Sequence, residues 1–473
     1  MLDQINVVVK ALVDGIYTPW IPLLLIGAGL YFTLRTGFIQ IRCLFESFRV
    51  ILEKPKNAKG VSSFGALMVS TAARVGTGNI IGVSQALCVG GMGALFWMWI
   101  IAFCGGASAY VESTLAQIYK RRNPDGTFYG GPSYYIEAVL KSRWLGLIFA
   151  CTVILTYTVG YNMLGAFNMQ STLSGFSFYN SWTPCITGVI LAVLFGATVL
   201  SGSHILITVT GLLVPFMSLM YIAVGLYIVG INYQNIPAMF SGIFADAFNF
   251  HAIFGGFSGS CLMYGVKRGL FSNEAGMGSA PNAAASADVS HPVKQGLVQM
   301  LSVFIDTLVL CTVTALMCLS TGIVPTAELA GAPYVQQTMH TALGDFGPIF
   351  IVVALSLFVF TTLIGNYYYS EGCLSYIMKG TPSRRFMTVF RLCASVLVLV
   401  GAMLSMELAW NTVDLTQALM VLINVPVIFL LARPAVAALR DYLRQRREGL
   451  DPHFHSEDIQ LEGKTECWER EEG

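Results

Sequence analysis

Charge is what this 473-residue chain has least of: only 11% of its residues are Asp, Glu, Lys or Arg. An ordinary soluble domain carries about 25%, and a soluble chain of this length would be expected to split into several domains. The cations are also missing from particular places. Residues 171–182, 231–252, 321–345 and 407–412 contain no lysine or arginine at all. Eleven cysteines are scattered without a CxxC spacing, and Cys104, Cys151, Cys311 and Cys318 sit inside apolar runs, so they read as small buried hydrophobes rather than disulfides or metal ligands. The six histidines, at 204, 251, 291, 340, 453 and 455, fall near the ends of apolar runs, in loops or in the tail. No HExxH motif, no Ser/His/Asp set and no paired carboxylates at mid-run are present, which argues against an enzyme. Nor is there a fourfold filter-like loop or a ring of like charge, which argues against a channel. His453 and His455, without further partners, do not make a metal site.

What the chain has instead is hydrophobic length: 55% of its residues are apolar and the mean hydropathy is +0.66. Continuous apolar runs of about 20 residues, long enough to cross hydrocarbon as helices, place eleven spans near 17–36, 62–90, 93–118, 144–170, 183–200, 205–230, 253–280, 294–320, 346–370, 386–406 and 413–432. The runs do not alternate, so a β-barrel is excluded. This is an all-α polytopic membrane protein, with no sign of a cleavable leader at its start. Basic residues set the orientation. Arg35, Arg42, Arg49, Lys54, Lys56 and Lys59 follow the first span; Lys120, Arg121, Arg122, Lys141 and Arg143 follow the third; Lys294, Lys379, Arg384, Arg385 and the tail from Arg433 onward continue on the same side. Only Lys10 lies opposite, so the N-terminus is predicted outside and the C-terminus in the cytoplasm. Residues 41–54 read as an amphipathic helix on the inner surface, and 433–473 as a solvated charged extension.

Two spans break the apolar pattern at mid-depth. In 74-RVGTGNIIGVSQA-86, Gly76, Gly78 and Gly82 surround Thr77 and Asn79, just after Arg74. In 265-GVKRGLFSNEAGMGSAPNAAASA-287, glycines again alternate with Ser272, Asn273 and Glu274, beside Lys267 and Arg268. Glycines in a membrane helix commonly serve close packing, and the charges could simply pair, Arg268 with Glu274 or Asp306. A phosphate loop does not fit, because the spacing is not GxGxxG and the surroundings are apolar. A glycine-rich break, however, frees backbone groups within the bilayer, and these are tolerated only where they line a cavity or bind something. Two further places are polar: Thr361, Thr362 and Asn366 in 358-FVFTTLIGNYYYSE-371, and Asn162, Asn168 and Gln170 in 161-YNMLGAFNMQ-170. For Thr361 and Thr362 a bond to the helix's own preceding carbonyls is the ordinary alternative.

With the first span set aside, ten remain in two sets of five, and each set opens with an interrupted span. The charge bias makes the two sets opposite in topology. That divides the chain into 1–61 (first span and surface helix), 62–230 (first five-helix repeat), 253–432 (second, inverted repeat) and 433–473 (charged tail). Paired interruptions in inverted halves point to a secondary transporter with its site at the midplane. Exposed amides there would face an anionic group and exposed carbonyls a small cation.

Five segments in order, GTGNIIGV (76–83), YGGPSYYIE (129–137), RGLFSNEAGMGSAP (268–281), QGLVQMLSVFIDT (295–307) and TTLIGNYYYSE (361–371), together resemble the alanine/glycine:cation symporter family, the sodium–alanine symporters of bacteria and archaea. The similarity runs from about residue 17 to 435. The resemblance implies a leucine-transporter-like fold of 5+5 inverted helices with one additional N-terminal helix. It implies import of a small neutral amino acid with sodium, by alternating access, across a bacterial plasma membrane. No nucleic acid and no protein partner is expected. It further implies roles. The amides of Gly76, Thr77 and Gly78 would receive the substrate carboxylate, with Asn79 lining the site. Gln170 would contact the substrate, and Phe167 and Phe271 would wall the pocket. Sodium would sit among the carbonyls of Ala72, Val75 and Phe358 and the hydroxyls of Thr361 and Thr362. Two positions depart from the pattern. Arg74 precedes the glycines, and Asn366 stands where many members carry tryptophan, which opens volume, adds an amide beside the substrate and makes glutamine a candidate. Should sodium play no part, Glu112, Asp306 or Glu274 would be the natural route for protons.

Overall fold

The computed structural model describes residues 2–55, 60–201, 203–461 and 463–469, with the side chains of 2, 3 and 203–208 left aside. Lys56, Lys59, the His204 side chain and residues 470–473 therefore lie outside the described residues. Among those described, nine helical stretches are long and apolar enough to cross a membrane: Gln4–Arg35, Ala94–Ile118, Arg143–Ser171, Thr183–Leu200, Val209–Ile231, Pro292–Ser320, Phe346–Ile377, Arg384–Ala402 and Met406–Leu430. Serine starts many of the helices. Ser62, Ser142, Ser260, Ser383 and Ser405 each accept an amide N–H of the first turn through Oγ, as their preference for the cap position predicts. Helices at the rim present unbroken apolar stripes outward. Ile186, Ile190, Val193 and Leu194 on Thr183–Leu200 are exposed at helical spacing, a face suited only to lipid.

The two interrupted segments fall outside that set because neither half is long enough alone. The first runs as Ser63–Arg74, leaves the helix at Val75 (φ −73°, ψ 92°) and resumes over Gly78–Gly90 in widened π turns. The second runs as Cys261–Asn273, unwinds through 274–279 and resumes as Ala280–Ser286. Glycine is required in that second break. Gly276 and Gly278 have φ of +84° and +83°, where a Cβ is disfavoured, and a Cβ on Gly278 would stand 2.8 Å from both Asn424 and Phe149. Both interruptions expected from composition are thus real backbone breaks. Two further π stretches, Leu155–Tyr161 and Phe304–Cys311, lie in continuous spans. Such bulges mark functional positions often enough to be followed up.

Some boundaries differ from those expected. The first span is preceded by a second helix, Leu2–Tyr17, packed along Met406–Leu430. The seventh begins at Cys261 rather than 253, because Ile236–Ala247 and Phe250–Gly255 form short helices ahead of it. At the end rich in basic residues lie Ile39–Arg42 and Leu44–Ile51, a two-stranded hairpin pairing Arg121–Arg122 with Phe128–Tyr129, and the helix Pro132–Leu140.

The C-terminal tail is not a solvated extension. Ala432–Arg447 is a helix whose Ala435, Leu439 and Tyr442 are buried. The chain beyond it returns across the basic end. Phe454 N donates to Ser290 O at 3.0 Å, and Trp468 Nε1 donates to Gln117 O at 2.8 Å. Phe454 and Trp468 are buried and pack edge to face. Average composition is a poor guide here, because a few aromatic side chains carry the packing of an otherwise charged stretch.

Candidate functional site

The two breaks meet. Asn79, in the first turn after the first break, accepts the Gly76 amide at 2.9 Å through Oδ1. Its Nδ2 donates to Asp306 Oδ1 at 2.7 Å and to Ser272 Oγ at 3.1 Å. Ser272, in the last turn before the second break, donates to Asp306 Oδ2 at 2.6 Å, and Thr307 Oγ1 donates to the same oxygen at 2.9 Å. Asp306 belongs to the π stretch Phe304–Cys311. One carboxylate therefore ties both broken helices together, with every oxygen satisfied and all members buried. The approach is close: a Cβ on Gly78 would come within 3.1 Å of the Phe271 ring and 3.2 Å of Ser272 Cα. Of the three amides expected to receive a carboxylate, that of Gly76 is taken by Asn79. Thr77 and Gly78 stand at the start of the half-helix that follows the break, where first-turn N–H groups lack intrahelical acceptors and the dipole is positive. Asn79 acts here as a brace rather than as a free lining group.

Carbonyls gather on the other side of the first break. The Gly76 amide turns to Asn79, so the Ala72 carbonyl has lost its regular i+4 donor. Thr362 Oγ1 reaches the Val75 carbonyl at 3.4 Å. Helix Phe346–Ile377 can come this near because position 365 is glycine; a Cβ there would lie 2.7 Å from the Ala73 amide nitrogen. Thr361 behaves differently, donating to the Leu357 and Phe358 carbonyls of its own helix, both at 3.1 Å. Thr362 is brought to the break, then, and Thr361 and the Phe358 carbonyl lie within one turn of it. Every donor in the set is a hard, neutral oxygen, which suits a small alkali cation.

Around this point stand aromatic rings and amides. Phe271 packs between Tyr161 (centroids 4.8 Å apart) and Trp410 (5.0 Å). Asn366, one turn beyond Thr362, donates to Asn162 Oδ1 at 2.9 Å, leaving Asn366 Oδ1 and Asn162 Nδ2 buried without partners. Phe167 lines a separate cavity of 140 Å³ with Ile81, Asn168 and Gly331, on the side of the breaks away from the basic end. Gln170 is held by Tyr179, whose hydroxyl donates to Oε1 at 2.9 Å. Phe167 thus stands beside Ile81 of the half-helix that follows the first break, and the Gln170 carboxamide oxygen is engaged by Tyr179. Ser272, Asn162, Tyr161 and Trp410 belong to this neighbourhood without having been assigned a role from sequence, and Asp306, named there as a possible ion-pair partner or proton route, serves here as a brace; for Ser272, Asn162 and Tyr161 the interruptions at 161–170 and 265–287 were the available signal.

The buried charges divide into two groups. Arg268 Nη2 pairs with Asp414 at 2.9 Å, and Lys267 lies 3.9 Å from the same carboxylate. The guanidinium also covers the Trp410 ring at 4.0 Å. Arg268 thus pairs with neither Glu274 nor Asp306, the partners expected from sequence proximity. Arg74 points into the protein, with Nη1 3.5 Å from Gln299 Oε1 and its other two nitrogens unpartnered. Glu112, Glu274 and Asp306 all lie within its electrostatic reach. Glu112 accepts from Asn424 at 2.8 Å and Glu274 from Ser279 at 2.7 Å. A lone guanidinium in hydrocarbon would cost several kcal/mol or more, so this surrounding acid set is what makes Arg74 tolerable.

A cavity of 1720 Å³ opens at the basic end. It passes Arg121, Arg143 and Arg391 and reaches Asn282 and Ser286 of the second broken helix and Tyr368 of the threonine-bearing helix. The molecule is thus open toward its basic end, and a smaller chamber of 140 Å³ lies beside Phe167 on the opposite side.

Comparison with known proteins agrees with this architecture. The profile of the sodium:alanine symporter family matches residues 2–456. The amino-acid carrier protein AlsT of Bacillus subtilis (strain 168) is 41% identical over 448 residues, covering 95% of this chain and 94% of AlsT. The probable sodium/glutamine symporter GlnT of the same organism is 40% identical over 459 residues, 96% of this chain and 94% of GlnT. The sodium/alanine symporter AgcS of Methanococcus maripaludis is 37% identical over 441 residues, 91% of this chain and 96% of AgcS. With the match extending through both breaks and the threonine-bearing helix, the chain belongs to the sodium:alanine symporter family.

Proposed function

We propose that this protein imports a small neutral amino acid together with sodium across a bacterial plasma membrane, by alternating access. In this reading the two broken segments join the nine continuous stretches to give eleven spans. These form one N-terminal span and a leucine-transporter-like pair of inverted five-helix repeats, 62–230 and 253–432. The basic end is cytoplasmic, as the positive-inside rule requires, so the N-terminus lies outside and the 1720 Å³ cavity is the inward-open pathway. The observation that carries the proposal is the junction of the breaks: Asn79, Ser272 and Asp306 brace two interrupted helices, while Thr362 reaches the Val75 carbonyl beside them.

The mechanism follows from the polarity of the break. The substrate carboxylate meets the amides of Thr77 and Gly78 at the positive end of the half-helix that follows the break. Sodium takes the Ala72 and Val75 carbonyls with the Thr362 hydroxyl, and Thr361 and the Phe358 carbonyl complete the set. It thereby holds the first broken helix against Phe346–Ile377 and stiffens the amides that receive the amino acid. Because both ligands then favour one conformation, each raises the affinity of the other by the same factor. The membrane potential contributes about 2.3 kcal/mol per 100 mV for each sodium carried inward.

Asn366 and Asn162 offer an acceptor and a donor without partners. A carboxamide side chain presents the matching donor and acceptor, so glutamine is placed beside alanine as a candidate substrate. Uptake into proteoliposomes tests both parts. Labelled alanine and glutamine should accumulate only with an inward sodium gradient, and glutamine should outcompete alanine at equal concentration. Uptake indifferent to sodium would overturn the cation assignment. It would favour proton coupling through the acids around Arg74. Alanine outcompeting glutamine would overturn the carboxamide reading alone.

A further inference from the structure

A second built site lies away from the transport pathway, at the basic end where the first span finishes. Trp20–Arg35 ends there, and its last residues share a groove of 530 Å³ with the helix Ala432–Arg447. Five arginines line it: Arg35 and Arg42 from the N-terminal segment, and Arg440, Arg444 and Arg447 from the C-terminal helix. Glu448 is the one carboxylate among the lining residues. Arg42 donates to the Gly37 carbonyl at 3.2 Å, and Arg444 is 2.5 Å from Asp441. Arg35, Arg440 and Arg447 have no ion-pair partner among the described residues.

All five are exposed, and such a concentration of cation at a bilayer surface attracts anionic headgroups. The periodicity of the C-terminal helix is consistent with that: Arg440, Arg444 and Arg447 recur at helical spacing on the exposed face, while Leu439 and Tyr442 are buried behind them. Leu34, Val436, Leu439 and Leu443 give the lining an apolar part beside the guanidinium groups. Leu23, Leu30 and Leu34 run exposed along the first span away from the groove, and Ile41, Phe45 and Phe48 on the neighbouring short helices are exposed as well. A cationic head region continuous with an apolar track matches an amphiphile: phosphate at the arginines, acyl chains along the leucines. Basic pockets on the cytoplasmic side of membrane proteins bind acidic headgroups in this way, and arginine forks suit phosphate oxygens.

We propose that this groove binds the phosphodiester of an anionic phospholipid of the inner leaflet, linking the first span to the C-terminal helix. A free phosphate shares the headgroup chemistry but has no use for the apolar track. The test uses the purified full-length protein in a neutral detergent with three probes at matched ionic strength: phosphatidylglycerol, phosphatidylcholine and inorganic phosphate. Native mass spectrometry counts retained lipid, and a thermal-unfolding titration gives affinity. Phosphatidylglycerol should be retained and raise the unfolding midpoint, while the other two should not. Near an anionic surface each arginine contributes about a fivefold factor in binding. The combined variant Arg440→Gln, Arg444→Gln, Arg447→Gln should therefore weaken phosphatidylglycerol binding on the order of 100-fold. Arg440→Gln alone touches no ion pair and should weaken it about fivefold, which keeps the test decisive if the triple variant misfolds. Equal retention of the two lipids, or unchanged affinity in Arg440→Gln, would overturn the site. Inorganic phosphate binding as tightly as the lipid would overturn the lipid assignment.

Discussion

Asn79→Ala is expected to cut sodium-driven amino-acid uptake by about 100-fold or more while the protein still reaches the membrane. The change removes the acceptor of the Gly76 amide and the charge-assisted donor to Asp306. A buried donor left unpaired costs about 1–3 kcal/mol, and a lost hydrogen bond to a charged group a similar amount. Together these come to about 2–6 kcal/mol, a range that includes the ~2.8 kcal/mol that corresponds to a 100-fold change. The loss falls on the geometry of the break, because Asp306 keeps Ser272 and Thr307 and the remaining core is untouched. Measured as initial uptake rate per reconstituted molecule, wild-type activity in Asn79→Ala would contradict the bracing role.

Thr362→Ala is expected to raise the sodium concentration for half-maximal uptake about tenfold or more, with little change in which amino acids compete. Its hydroxyl is the side-chain oxygen that the structure brings to the Val75 carbonyl, and loss of one oxygen from a small set of neutral donors cannot be compensated by the others. Thr362→Ser keeps the oxygen and should recover most of the affinity. Thr361→Ala should have the smaller effect of the two, since that hydroxyl is engaged by its own helix. A sodium requirement unchanged in Thr362→Ala, or a change of substrate preference in its place, would remove Thr362 from the cation site.

The helix breaks were legible in the sequence because glycines interleaved with Thr77, Asn79, Ser272 and Asn273 in mid-hydrocarbon point to exposed backbone and not to close packing alone. The long apolar helices were legible for the same reason that they form: each must satisfy its own backbone in lipid. The pairing of side chains was not. Arg268 meets Asp414, 146 residues away, rather than its sequence neighbours, because charges on different helices become adjacent only when the bundle packs. Asn79 was recognised as a site residue, but its engagement with Asp306 depends on the π turns at 304–311, which hydropathy cannot reveal. Asn162 was visible as a polar interruption, and only the approach of Asn366 gives it a role. The tail was misjudged from its net composition. The spacing of Leu439 and Tyr442 against Arg440, Arg444 and Arg447 was the available sign of an amphipathic helix.

Membership of a symporter family sets the chain among carriers rather than enzymes, and no bond-making chemistry is asked of the buried acids. Their part is electrostatic. Glu112, Glu274 and Asp306 lie within electrostatic reach of Arg74, and Asp306 also braces both breaks, so in the proposed mechanism one carboxylate connects charge balance to substrate geometry.

The central claim is that unwound backbone at 75–78 receives the substrate carboxylate on one side and sodium on the other. Cryo-electron microscopy of the protein with saturating sodium and its transported amino acid tests this most directly. The account predicts density for the carboxylate at the Thr77 and Gly78 amides and for the ion between the Val75 carbonyl and the Thr362 hydroxyl. Amino-acid density elsewhere, or an ion site that leaves Val75 and Thr362 uncoordinated, would contradict it.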